Sequence, residues 1–285
     1  MILGLSGSER ANLVIIALEK IHETGALGVS ITADGPSAHL TMMRELGGKL
    51  DPENMIPFFP HPSDPSLRVH ILLDLAHMLK LIRNTLGSEK VLKSPSGEVR
   101  WDFISRLHSL QEKEGLLAGT KLKKPHIDWE RNKMKVSLAA QTLSTSVADA
   151  LDFLREDLKI DNFQGSAATS EFIRLFDCLF DSFNSRNVFG KKFKAPLKPE
   201  NHHEWISLYT EAASYIRALK KIDGTPILSS RIKTGYLGFL CGIYSFQNLF
   251  EDLVVCGPLS YILSYKFCQV CKCLFDNESY CNFYY

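Results

Sequence analysis

The sequence predicts an α/β fold with a mostly helical segment set into it. Three observations predict this. Ala26 to Ala33 reads as a strand that delivers Asp34 into a Gly-Pro turn between two helical stretches. The apolar run starting at Val69 ends on Asp74 and feeds a helix, giving a second acidic strand end. From Trp101 to Lys221 the apolar spacing is helical almost throughout, as for a helical domain beside or inserted into a sheet domain.

Taken in order, Ser6 to His22 reads as a helix. Ser6 or Ser8 caps it, and Glu9, three residues after Ser6, completes a capping box. Leu13, Ile16, Ala17 and Ile21 form its apolar stripe, and Gly25 ends it. After the strand and Asp34, Pro36 opens a helix through Leu46. Asp51 to Pro65 reads as a turn-rich loop whose Phe58, Phe59 and His61 rest on the core. In VHILLDLAHMLKLIRNTL (Val69 to Leu86), Asp74, His77, Lys80 and Asn84 share a helical edge, with Leu75, Leu79, Ile82 and Leu86 opposite. An ordinary amphipathic helix with solvated charges has the same pattern.

Ser88 to Gly97 reads as a polar turn segment, and Trp101 to Glu114 as an amphipathic helix. Helices are also expected over Val136 to Leu154, Thr169 to Asn184 and about His203 to Lys221. Phe172, Leu175, Phe176, Leu179 and Phe183 make the core face of the second. Ser185 to Pro199 is a basic, Pro-punctuated loop. Thr234 to Leu253 is a long apolar helix whose Gly235, Gly238 and Gly242 admit a close neighbour. Three segments follow: 1–88 and 229–285 as parts of the sheet domain, the latter divergent or truncated after 269, and 89–228 as the helical insertion.

The 285 residues are 45% hydrophobic and 23% charged, a globular composition, and the net charge of +1 leaves nucleic-acid contacts to local patches. The basic clusters Lys121 to Lys124 and Lys191 to Lys194 are two such patches; solvated lysine-rich loops have the same composition. No apolar run reaches membrane-span length, and the first residues lack a signal peptide's pattern. No GxxxxGK[ST] motif supports a P-loop NTPase. Five of the seven cysteines fall in the last 30 residues, but Cys268, Cys271, Cys273 and Cys281 fit no two-pair zinc spacing, so no structural zinc is expected.

Asp34 and Asp74 are the candidate chemistry. Converging carboxylates hold Mg²⁺ ions about 4 Å apart for phosphoryl transfer. One Asp does not suffice, and Asp34 before Gly35 also fits a plain turn residue.

The motifs Asp34-Gly-Pro-Ser-Ala, Asp74-Leu-Ala-His77-Met-Leu-Lys80-Leu-Ile-Arg83-Asn84, Leu179-Phe-Asp181-Ser-Phe-Asn184-Ser-Arg186 and Thr234-Gly-Tyr-Leu-Gly-Phe resemble the P-element and THAP-domain transposases. The resemblance covers about residues 1 to 269. It implies a partial RNase H-like catalytic domain interrupted by a mostly helical GTP-binding insertion domain, acting in cut-and-paste DNA transposition in the nucleus. It makes Asp34 the second metal-binding carboxylate and sets Asp74 and His77 in a family Asp-x-x-His element that supports the site or positions DNA. Asp181 and Asn184 become candidates for the nucleotide pocket. Mg²⁺ and GTP are the implied cofactors, GTP serving assembly rather than powering cleavage. Transposon-end DNA and a full-length transposase, or a second copy, are the implied partners.

The chain departs from the family pattern at both ends. The first catalytic Asp and the THAP zinc finger belong upstream of Met1. The catalytic Glu belongs to a Gln-Asp-His-x-Glu run, where Gln269 is here followed by Val270, Cys271, Lys272 and Cys273; Asp276 and Glu278 stand in another context. The expectation is a transposase-derived chain that does not cleave DNA alone but retains GTP or DNA binding. The alternatives are an incomplete version of an active metal-dependent transposase, and a helical protein-interaction module with no nucleic-acid role.

Overall fold

The computed structural model describes residues 4–115 and 120–268. The chain divides into two compact units. The first comprises 1–76, 182–206 and 237–285, and the second 77–181 and 207–236.

The first unit opens with α1 (Gly7–Glu23). Its N-cap Ser6 and Glu9 form the expected capping box, the Ser6 N–H donating to Glu9 Oε2 at 2.7 Å. Strand β1 (Ser30–Ala33), helix α2 (Ser37–Glu45) and the short antiparallel pair β2 (Lys49–Leu50) and β3 (Met55–Ile56) follow. The stretch expected to be a loop up to Pro65 also contains β4 (Phe58–Pro60), which pairs antiparallel with β5 (Arg68–Leu73). Pro57 and Pro60 disguise this strand in the sequence. Pro60 occupies its last position, on the sheet edge where a missing N–H is tolerated.

The sheet order is β1-β5-β4, with β1 and β5 parallel. Central β5 is buried along nearly its whole length, which explains its unbroken apolar run. Cys241 and Ser245, from α10 (Thr234–Phe250), both donate to the Ile71 carbonyl, at 3.3 and 2.5 Å. Around Gly242 a Cβ would approach Leu75 Cδ2 to 3.0 Å, so the close neighbour expected there exists. Phe183 stacks on Phe246 with ring centroids 5.3 Å apart, and Phe246 meets Phe267 edge-on.

The second unit is mostly helical. Helix α3 (Leu75–Glu89) enters it, and α4 (Trp101–Glu114) has the predicted bounds. Between them, 88–97 is not a simple turn. Strands β6 (Val91–Ser94) and β7 (Gly97–Arg100) form a hairpin, which β8 (Lys220–Lys221) extends after α9 (His202–Ala218). The helix expected across Val136 to Leu154 is two: α6 (Val136–Thr142) and α7 (Thr145–Glu156), with α5 (Lys124–Ile127) before them. The break has a cause. Asp177, on α8 (Ala167–Phe183), accepts from both the Thr145 N–H and its hydroxyl, at 2.7 and 2.6 Å, capping α7 where the sequence shows no breaker. The predicted α8 face of Phe172, Leu175, Phe176, Leu179 and Phe183 is buried.

Candidate acidic strand-end site

Strands β1 and β5 pair in register from Ser30↔His70 to Ala33↔Leu73. The next residue on each strand is an aspartate. The ladder continues one step further, since the Asp74 N–H donates to the Ala33 carbonyl at 2.9 Å. Two sequence-predicted residues, Asp34 and Asp74, therefore leave adjacent parallel strands side by side at their carboxyl ends, where open α/β sheets place their sites.

Their environments differ. Asp74 is buried, at 4% exposure, and its Oδ1 accepts from the Ala76 N–H at 3.2 Å in the first turn of α3. It works as a helix cap. Asp34 is half-buried and followed by Gly35, whose φ of +84° turns the chain into Pro36, the N-cap of α2.

The sequence reasoning missed what faces Asp34. His39, on α2, contacts Arg10 of α1 through Nε2 at 3.1 Å. An arginine can only donate, so the imidazole accepts at Nε2 and carries its proton on Nδ1. Burial and the Arg10 charge lower the His39 pKa, while Asp34 pulls it back up. Asp34 thus lies within electrostatic reach of an imidazole that contacts Arg10. The signal was present as a histidine five residues beyond Asp34, but its partner on α1 was not legible.

The carboxylate oxygens of Asp34 are hard donors of the kind Mg²⁺ takes, and Asp34 is the accessible member of the pair. Asp74 has one oxygen committed to capping, so it suits an ion less well. Among the described residues no three His, Cys, Asp or Glu side chains are grouped to hold a metal. Cys271, Cys273 and Cys281 lie outside the described residues; the Cys268 thiol donates to the Phe183 carbonyl at 3.4 Å.

His77 lies in the first turn of α3, one helical turn after Asp74 in sequence, and is partly exposed. Further along that helix the basic edge is not solvated. Lys80 is 8% exposed and Arg83 fully buried. Arg83 donates to Asn84 Oδ1 at 2.8 Å and to the Asn132 carbonyl at 3.0 Å, and burial lowers its pKa to about 10. The ordinary amphipathic reading of this edge is therefore wrong. Asp181 lies in the last turn of α8. Asn184 follows that helix, its Oδ1 accepting from Arg186 Nε at 2.9 Å.

A second, part-buried polar cluster occupies the other end of β5. Arg68 forms a bidentate pair with Asp252, whose Oδ2 is also 2.8 Å from His70 Nε2. Asp252 lies in a π-helical turn, Glu251–Val255, continuing α10.

Comparison with known proteins bears on both units. A family model described as TNP-like, RNase H N-terminal domain matches residues 1–47, which include Asp34. A second, TNP-like, GTP-binding insertion domain, matches residues 76–196, which include His77, Asp181 and Asn184. Asp74 lies between the two. The chain is 32% identical over 264 residues to DNA transposase THAP9 of Homo sapiens, covering 92% of this chain and 29% of that protein. It is 29% identical over 178 residues to the Transposable element P transposase of Drosophila melanogaster, covering 59% of this chain and 22% of that one. The chain thus spans less than a third of the length of these relatives. The Drosophila P element transposase strand transfer complex matches 90% of this chain and 56% of its own with a TM-score of 0.75 at 22% identity, a likeness of fold.

Proposed function

As this chain belongs to the family of the P-element and THAP9 transposases, we propose that it is a transposon-derived piece of DNA-transposition machinery, holding part of a metal-dependent phosphoryl-transfer site together with a GTP-binding domain. The observation that carries the proposal is the parallel register that sets Asp34 and Asp74 at neighbouring strand ends.

In this reading Asp34 is the metal ligand. Bound there, Mg²⁺ supplies the Lewis-acid stabilisation of an in-line displacement at phosphorus. Asp74 holds the start of α3 and adds negative potential beside Asp34. His77, one turn further on, positions DNA or supports the helix. His39, held by Arg10, adds to the electrostatic surroundings of Asp34. Asp181 and Asn184 contribute to the nucleotide pocket of the insertion domain. The relevant DNA is a transposon end, the compartment the nucleus, and the protein partner a full-length transposase or a second copy.

Among the described residues no third carboxylate joins Asp34 and Asp74, fewer than a two-ion centre takes, so in this reading the chain alone is expected not to cut DNA. Incubation with Mg²⁺ and a transposon-end duplex is expected to leave the duplex intact; metal-dependent nicking that Asp34→Asn abolishes would sink this part. Calorimetric titration with GTP tests the nucleotide role separately, and a flat titration would remove it.

The chain's span of less than a third of its relatives favours a second reading, in which it is one piece of a longer, active transposase. Transcript sequencing beyond Met1 and Gln269 discriminates. Further acidic strand and helix segments in frame would support it, and a stop on both sides would not.

A further inference from the structure

Helix α1 presents a face that the acidic site does not use. The apolar stripe expected along it is not its buried side. Gly7, Ala11 and Leu18 are buried, while Leu13 and Ile16 are 45% and 52% exposed. At about 3.6 residues per turn, Glu9, Leu13, Ile16 and Lys20 fall within about 60° of one another, and Gly7, Ala11 and Leu18 lie on the opposite side of the helix. All four stripe residues are exposed. Single exposed apolar residues need no explanation. Here two stand one turn apart, with an acid one turn before them and a base one turn after. That is the narrow seam of a helix that pairs with another helix.

The order of charges along the stripe selects the partner. A second copy laid antiparallel, about a two-fold axis between Leu13 and Ile16, sets Leu13 opposite Ile16 and Glu9 opposite Lys20. Both pairs are centred on the same point of the helix, and the symmetry makes each contact twice. A parallel arrangement would instead oppose Glu9 to Glu9 and Lys20 to Lys20, which like charges disfavour. Both charges already have partners within the chain, and both have capacity left. Lys20 Nζ lies 2.8 Å from each oxygen of Glu23 in an exposed pair, and an ammonium has three donors. Glu9 accepts from the Ser6 N–H and hydroxyl on Oε2, at 2.7 and 2.8 Å, which leaves Oε1 for a neighbour.

We infer that α1 is a self-association surface, on which two copies of this chain pair antiparallel. Leu13 and Ile16 form the seam, and Glu9 and Lys20 close it at both ends. The inference rests on the proposed association with a second copy and names its surface; it is independent of DNA and GTP binding. One helix pair buries less area than a standard interface, so the dimer is weak and forms as concentration rises.

The test is sedimentation equilibrium of the full chain over a concentration series. The parent is expected to pass from monomer to dimer. Leu13→Gln with Ile16→Gln should weaken the dimer about tenfold or more, and Lys20→Glu about five- to thirtyfold. Both variants change exposed positions and should stay close to the parent Tm. Glu9→Lys reverses the other end of the stripe. Alone it should pair as poorly as Lys20→Glu, but an equimolar mixture of the two should recover the parent's dimer, since every end then meets its opposite charge. Where loss of the cap unfolds Glu9→Lys, Glu9→Gln keeps the capping box, and its mixture with Lys20→Glu should dimerise more tightly than Lys20→Glu alone. An undiminished dimer in the Leu13 and Ile16 double variant would overturn this face while leaving self-association standing. An undiminished Lys20→Glu dimer, or mixtures no tighter than their components, would overturn the antiparallel pairing. A parent that stays monomeric at every concentration would overturn both the surface and the second copy as a partner.

Discussion

His70 is 1% exposed, and burial pushes its imidazole down to about 4 despite the pull of Asp252 2.8 Å away. The sign follows from linkage. The unfolded chain takes up a proton near pH 6.5 that the folded chain refuses until about pH 4, so the stabilisation is complete above 6.5 and is lost as pH falls through that window. The expected loss is about 3 kcal/mol. Urea denaturation at pH 7 and pH 4.5 checks it, and His70→Gln should flatten that part of the difference. His39, His61 and His202, all lowered first by burial, add to the slope in the same direction. None of this was legible, because the residue that meets His70 is 182 positions away. Asp74 is the opposite case. A carboxylate ending an apolar run and opening a helical pattern is a local signal, and Asp74→Ala should cost about 1 kcal/mol through the lost cap. Asp34, which caps nothing, should tolerate Asn with an unchanged Tm, so a thermal scan of both variants separates the scaffold carboxylate from the ligand.

At the scale of elements, local rules reached the helices further than the strands. The α1 capping box, the bounds of α4 and the aromatic face of α8 rest on residues within four positions of one another. Strands β4, β6 and β8 escaped because they are short, hold Pro, Lys or Ser, and exist through distant pairing: β8 meets β6 with register Leu92↔Lys221. The α6–α7 break escaped because Asp177 imposes it from another helix. Gly87 shows how an element can be fixed from outside. It sits inside α3, where glycine is a poor helix former, yet a Cβ there would lie 2.6 Å from the Trp129 indole. Trp129 is itself buried, with Lys133 Nζ 5.5 Å from its ring centre. Gly87→Ala gains about 1 kcal/mol in helix propensity but drives Cβ into a packed indole, an overlap costing about 1–3 kcal/mol. The expected net effect is a lower denaturation midpoint. Trp129→Phe should partly relieve the penalty of Gly87→Ala, a coupling that a double-mutant cycle reads directly. A cycle that closes additively would mean Trp129 shifts freely aside.

Over the whole molecule, a net charge of +1 gives DNA no general attraction, so any affinity must be local. The charge is unevenly spread: the Asn184–Lys198 loop has cations without carboxylates, while Asp34 and Asp74 place negative groups at the strand ends. The match of residues 76–196 to a GTP-binding insertion domain makes GTP the most direct test at this scale. A nucleotide that binds the folded chain and not the unfolded one stabilises by mass action, by about 2.7 kcal/mol at a hundredfold excess over Kd. Tm should therefore rise steadily with GTP concentration, without a plateau when the site saturates, because each tenfold increase adds about 1.4 kcal/mol. ATP at equal concentration controls for general polyphosphate binding to the exposed lysines, an effect that added salt should suppress. A GTP-specific shift that survives moderate salt supports a formed nucleotide site. Equal, salt-sensitive shifts with both nucleotides would assign the effect to the basic surface and remove GTP binding from the functions proposed for this chain.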